Sequence, residues 1–125
     1  MSPAEYIAGL QRFLESHPHI ASFQLNTDHR GESFLYLHGR LEFLHGETLD
    51  FKEFLAFHSN EAEKYMYAYN YRQNEQVIFR YDNAPDPRAQ HLPSYPAHKH
   101  AGEIILPSDQ VSLMDVVAEV MNRNR

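Results

Sequence analysis

The stretch "FLYLHGRLEFL", Phe34 to Leu44, decides the fold class. In an extended chain Leu35, Leu37, Gly39, Leu41 and Phe43 share one face and Phe34, Tyr36, His38, Arg40 and Glu42 the other. That period of two marks a strand with one side buried. Upstream, "SFQLN" reads as a short strand and "TDHRGES" as the turn that joins it. Downstream, "HGE" turns into "TLDFKEFLAF", where Leu49, Phe51 and Leu55 mix with charges as in a half-exposed strand. "KYMYAYNYR" sets Tyr65, Tyr67, Tyr69 and Tyr71 on a single face. After a turn at Asn74-Glu75, "QVIFRYD" places Val77, Phe79 and Tyr81 opposite Ile78, Arg80 and Asp82. The simplest assembly of these segments is a five-stranded antiparallel meander.

Helices close both ends. Ser2 is an N-cap, Pro3 occupies the first helical position and Glu5 completes a capping box. Tyr6, Ile7, Leu10, Phe13 and Leu14 then form one apolar stripe, and Pro18 ends the helix near His17. Ser112 caps the second helix with Asp115 at its third position, and Leu113, Val116, Val117, Val120 and Met121 form its buried stripe. The expected architecture is α+β: an N-terminal helix, a curved antiparallel sheet of about five strands, a Pro/His-rich loop and a C-terminal helix. Residues 1–125 are expected to form a single domain, long enough to bury a core without staples.

The chain has no cysteine, so disulfides and thiolate metal sites are excluded, and any metal must be held by His and carboxylates. No apolar run matches a membrane span and the N-terminus lacks the order of a signal peptide, so the expected location is the cytoplasm. The formal charge of -6 disfavours generic phosphate binding. Its distribution is uneven. Residues 72 to 100 carry Arg72, Arg80, Arg88 and Lys99 against Glu75, Asp82 and Asp86, with His91, His98 and His100 added, while the segments on either side are acidic.

That segment also holds the strangest run, "FRYDNAPDPRAQHLPSYPAHKHAGE", Phe79 to Glu103, with Pro85, Pro87, Pro93 and Pro96 inside it. A connection this long is commonly functional. In an extended "HKH" the imidazoles of His98 and His100 project to one side. Together with His91 and Asp82 they could ligate a divalent metal. The same groups suit metal-free phosphodiester cleavage, where imidazoles exchange protons and Arg80 or Lys99 neutralises the charged transition state. The bland alternatives are an exposed histidine cluster and a strand-end ion pair between Arg80 and Asp82. The tyrosine row is either core or, if it faces outward, a stacking platform for bases. His38, His45 and His58 stand alone and read as structural.

The order "YMYAYNYRQ", "VIFRYDNAPDP", "HLPSYPAHKH", "PSDQVSLMDVVAEV" resembles the TumE-like toxins of toxin-antitoxin pairs. Those proteins typically show a Tyr-rich strand, an F-R-Y-D-N-A-P-H segment, an H-x-P-x-x-P-x-H-K-H segment and a C-terminal helix. The resemblance spans nearly the whole chain. It implies a small cytoplasmic toxin neutralised by a cognate antitoxin with a helix-turn-helix domain. The matching positions run from Arg80 to Pro85, then His91, Pro93, Pro96, His98, Lys99 and His100. Asp86 stands where members often have His, so that imidazole's role is absent here or taken by the carboxylate.

Three readings follow. In the first, the chain is a toxin that cleaves RNA without a cofactor, with Arg80, Asp82, His91, His98, Lys99 and His100 as catalytic residues and Arg72, Tyr81 and Asn83 as substrate contacts. In the second, Asp82, His91, His98 and His100 hold a divalent metal in a hydrolase. In the third, the tyrosine face and acidic helices bind a protein partner and no reaction occurs. Prolines are expected to stretch the Pro85–Pro96 segment into an extended path that folds His91, His98 and His100 back onto Arg80 and Asp82. An open strand edge also makes a homodimer an expected option.

Overall fold

The structure, a computed structural model, describes residues 1–124. Helix α1 (Pro3–Ser16) is followed by strands β1 (Ile20–Arg30), β2 (Phe34–Phe43), β3 (Thr48–His58), β4 (Glu61–Gln73) and β5 (Gln76–Asp82). After a short 3-10 turn at Pro87–Ala89 come β6 (His98–Ala101), β7 (Ile104–Pro107) and helix α2 (Leu113–Arg123). The strands form one 7-stranded sheet in sequence order, every neighbouring pair antiparallel. The α+β class and the meander are as expected. The strand count is seven rather than about five, because "HKHA" and "IILP" pair with each other and onto β5.

Both helices start as their capping boxes dictate, at Ser2 and Ser112. Their apolar stripes pack on the same side of the sheet, where Leu10, Leu14, Leu113, Val116, Val117 and Val120 meet the inward leucines and aromatics of β2 to β5. Each nearly fully buried aliphatic here contributes on the order of 2 kcal/mol. The opposite face of the sheet carries no helix. Gly39 marks a close approach within the sheet, since a Cβ there would lie 2.0 Å from the Gln24 carbonyl oxygen of β1 and 2.8 Å from the Phe51 ring of β3.

Of the three register shifts in the sheet, those in β4 and β5 revise the expected strand faces. In β4 Met66 pairs with Phe54 but Lys64 pairs with Leu55, so Tyr65 is the extra residue. Tyr67, Tyr69 and Tyr71 are core, whereas Tyr65 is 51% exposed. The expected row of four is therefore a row of three. The bulge turns Lys64 inward, where its ammonium donates to the Tyr69 hydroxyl at 2.7 Å and the Val111 carbonyl at 2.6 Å and lies 3.5 Å from Glu53. Glu53, almost wholly buried on β3, also accepts from the Tyr6 and Tyr69 hydroxyls. A buried carboxylate needs such partners, and the bulge supplies one. In β5 the same device leaves Ile78 unpaired, sending Ile78 toward the core and Val77 outward, the reverse of simple alternation.

The Glu53 network predicts an alkaline limit. Burial first, and the Glu53 carboxylate second, hold the Tyr6 and Tyr69 phenols above their usual value of 10.0. Folded pKa above unfolded pKa means stability that is complete below pH 10 and lost as pH rises further. Burial lowers the Lys64 ammonium and gives the opposite slope up to its usual 10.5, but one lysine faces two tyrosines. The urea midpoint should therefore fall between about pH 10 and pH 11, with tyrosinate absorbance appearing on unfolding. A midpoint that holds or rises over that interval contradicts this assignment.

Candidate functional site

Strand β6 pairs with β5 so that Asp82 lies opposite His98, Tyr81 opposite Lys99 and Arg80 opposite His100. Side chains alternate along strands, so the even positions face the helix-free side together and the odd positions face the helices. This register sorts the candidates. Arg80, Asp82, His98 and His100 meet on the helix-free face. Lys99 does not join them: its ammonium donates to Glu119 of α2 at 2.8 Å and lies over the Phe79 and Tyr81 rings. Tyr81 also points inward, its hydroxyl donating to Glu119. Asn83 is spent on the fold, accepting from the Tyr67 amide at 3.0 Å and donating to the Tyr65 carbonyl at 2.9 Å. His91 is exposed on the loop and stands outside the cluster.

The loop between β5 and β6 is not extended. Asp86 caps the 3-10 turn through the Arg88 amide, Pro87 starts it, and backbone bonds from Leu92 to Ala89, Tyr95 to Leu92 and Ala97 to Ser94 continue a chain of tight turns. Proline favours the first position of such turns as readily as an extended path. Ser94 fixes the far end by donating to the Ala97 carbonyl and accepting from the Ser108 amide. These turns cover His98, whose side chain has no exposed surface.

His98 Nδ1 lies 2.7 Å from the Pro96 carbonyl oxygen. A carbonyl only accepts, so Nδ1 carries the hydrogen and Nε2 is directed into the cluster. There Nε2 meets His100 Nε2 at 3.0 Å and Asp82 Oδ1 at 3.1 Å. Asp82 is itself held: Oδ2 accepts from Arg80 Nε at 2.8 Å and Oδ1 from the Ala84 amide at 3.0 Å. The ligating atoms of Asp82, His98 and His100 all lie within 4.8 Å of one another. Asp86 Oδ2 is 3.8 Å from His100 Nε2 and is paired with Arg88. Hydrogen bonds from the Arg88 side chain and amide hold the Asp86 carboxyl down to about 2. The position at which the resemblance marked a departure therefore borders the cluster.

Beside the cluster the helix-free face forms a groove of about 560 Å³. Arg40, Lys52, Arg72 and Arg80 line it against the carboxylate of Asp50, with Tyr36 and His38 among the other walls. Arg40 pairs with Asp50 at 2.6 Å, and Arg72 lies 3.7 Å from it. Alternation in "FLYLHGRLEFL" put Arg40 opposite the leucines, but nothing local announced that β3, β4 and β5 would bring Lys52, Arg72 and Arg80 to the same face. A chain that is acidic overall thus presents a locally cationic surface next to two histidines.

The class these features define is a two-layer α+β protein with a His/Asp cluster on the open face of an antiparallel meander. The model of the family described as toxin TumE matches residues 10–124, and the chain belongs to that family. Comparison with curated proteins and with solved structures gave no match. No helix among the described residues is long and apolar enough to cross a membrane.

Burial, and next the neighbouring His98, push the His100 imidazole below its usual 6.5, with Asp82 pulling the other way. The unfolded chain then takes up a proton below pH 6.5 that the folded chain refuses, so this group removes stability as pH falls through that window. The His100 ring resonances should titrate with a midpoint below 6.5, and Asp82→Asn should move it lower still. A midpoint at or above 6.5 in the wild-type protein contradicts the geometry.

Proposed function

We propose that this toxin acts on RNA, and that its reactive centre is the Asp82–His98–His100 cluster with Arg80 at its margin. The observation that carries the reading is the convergence of three potentially reactive atoms beside a cationic groove. Phosphodiester cleavage needs an activated oxygen, a charge to meet the developing phosphorane, and a surface that holds the polyanion. The cluster activates the attacking oxygen on the side where His100 reaches solvent. Arg80 gives only its Nε to Asp82 among the described residues, so its amino groups keep donors for a phosphate. Arg40, Lys52 and Arg72 extend the path for the strand, and Tyr36 offers a ring on which a base can stack. His98 has no surface through which to touch substrate, so its role is to orient His100 and Asp82. The cognate antitoxin, of helix-turn-helix type by the resemblance, restrains this activity.

The test is cleavage of a labelled mixed RNA by the purified protein, alongside growth arrest in cells. Arg80→Met and His100→Asn should each lose about a hundredfold or more of cleavage, and arrest with it. His91→Ala should leave both unchanged. Intact RNA under every condition, with wild-type protein still arresting growth, would remove RNA as the target. Equal loss in His91→Ala would place the reactive centre on the loop.

A further inference from the structure

We infer that Asp82 Oδ1, His98 Nε2 and His100 Nε2 are three ligands of a single divalent transition-metal ion of the zinc class. The inference rests on the cluster being the reactive centre, and adds what occupies it.

The first ground is the direction of the lone pairs. In the neutral His98 ring the hydrogen sits on Nδ1, against Pro96, so Nε2 presents a lone pair. Its two neighbours at 3.0 and 3.1 Å are another imidazole nitrogen and a carboxylate oxygen. One hydrogen on His100 can satisfy the contact between the rings. It leaves the Asp82 oxygen and His98 Nε2 facing each other with no hydrogen between them inside a covered site, an arrangement that a cation between the three atoms resolves.

The second ground is spacing. Two atoms each about 2.1 Å from an ion lie about 3.0 Å apart at a right angle and about 3.4 Å apart at a tetrahedral angle. The two short separations fall at the start of that interval, and the third pair, Asp82 with His100, lies within 4.8 Å, so an ion draws those two side chains together.

The third ground is the outer layer. Imidazole ligands are usually oriented by a carbonyl or carboxylate on the far nitrogen, and carboxylate ligands by their own hydrogen bonds. His98 has the Pro96 carbonyl, and Asp82 has Arg80 and the Ala84 amide. Two nitrogens and one oxygen select zinc-class ions over magnesium or calcium, which prefer all-oxygen sets. Three protein ligands leave a position for water or a phosphate oxygen, and Asp86 stands close enough to His100 to guard it.

The rival arrangement is a doubly protonated His98 paired with Asp82, which needs no ion. The two are separated by titrating chelator-treated full-length protein with Co²⁺ and Zn²⁺, following the cobalt absorption bands, native mass and melting temperature. One ion per chain is expected, with a raised melting temperature. His100→Gln should weaken binding by about a hundredfold or more and abolish the rise. Asp82→Asn should do the same. His45→Ala, a histidine remote in sequence from the cluster, should bind normally. Should Asp82→Asn fail to fold, His100→Gln, at a half-buried position, carries the test. Absence of a bound ion, or binding that survives His100→Gln, overturns the inference. RNA cleavage by the stripped protein would also overturn an ion as the activating group. An ion bound as described with no cleavage leaves the inference intact and removes the RNA reading.

Discussion

The four-residue pairing of β5 with β6 is the constraint on which the rest depends. Because strand side chains alternate, one register assigns Asp82, His98, Arg80 and His100 to the helix-free face and Lys99, Tyr81 and Phe79 to the core. A slip of β6 by one residue would invert its own side chains while β5 stays held by β4, burying the histidines against α2 and turning Lys99 outward. The register is pinned from both sides. Lys99 is tied to Glu119 on the helix face, and His98 is locked between the Pro96 carbonyl and Asp82 on the other.

The core and the cluster share elements, so stability and chemistry are linked. The bulge that turns Lys64 toward Glu53 also resets β4, which then carries Tyr67 inward and allows Asn83 to bind the Tyr67 amide and Tyr65 carbonyl. Asn83 directly follows Asp82, so the same contacts hold the end of β5 where the cluster begins. The Glu53 network is costly to bury and has its satisfied partners in α1, β4 and the segment before α2.

Much of this was readable from residue types. The capping boxes fixed where both helices begin, the period of two in "FLYLHGRLEFL" identified the sheet, and "HKH" announced two imidazoles on one side. The bulges were not readable, because the extra residue at Tyr65 answers a buried charge on another strand. Lys99 and Tyr81 were expected in the site from their adjacency in the motif, although the alternation that pairs His98 with His100 and Arg80 with Asp82 already sends both to the other face. The cationic groove was missed for a related reason: Arg40, Lys52, Arg72 and Arg80 come from four strands, and only the meander order unites them. The prolines misled in the other direction, starting turns where an extended path was expected.

The most direct test is a crystal of the protein grown with Zn²⁺ and measured on both sides of the zinc absorption edge. One anomalous peak is expected within coordination distance of Asp82 Oδ1, His98 Nε2 and His100 Nε2, with Lys99 on the opposite face against Glu119. A peak at other histidines alone, or a β6 paired one residue out of register with Lys99 facing Asp82, would contradict that expectation.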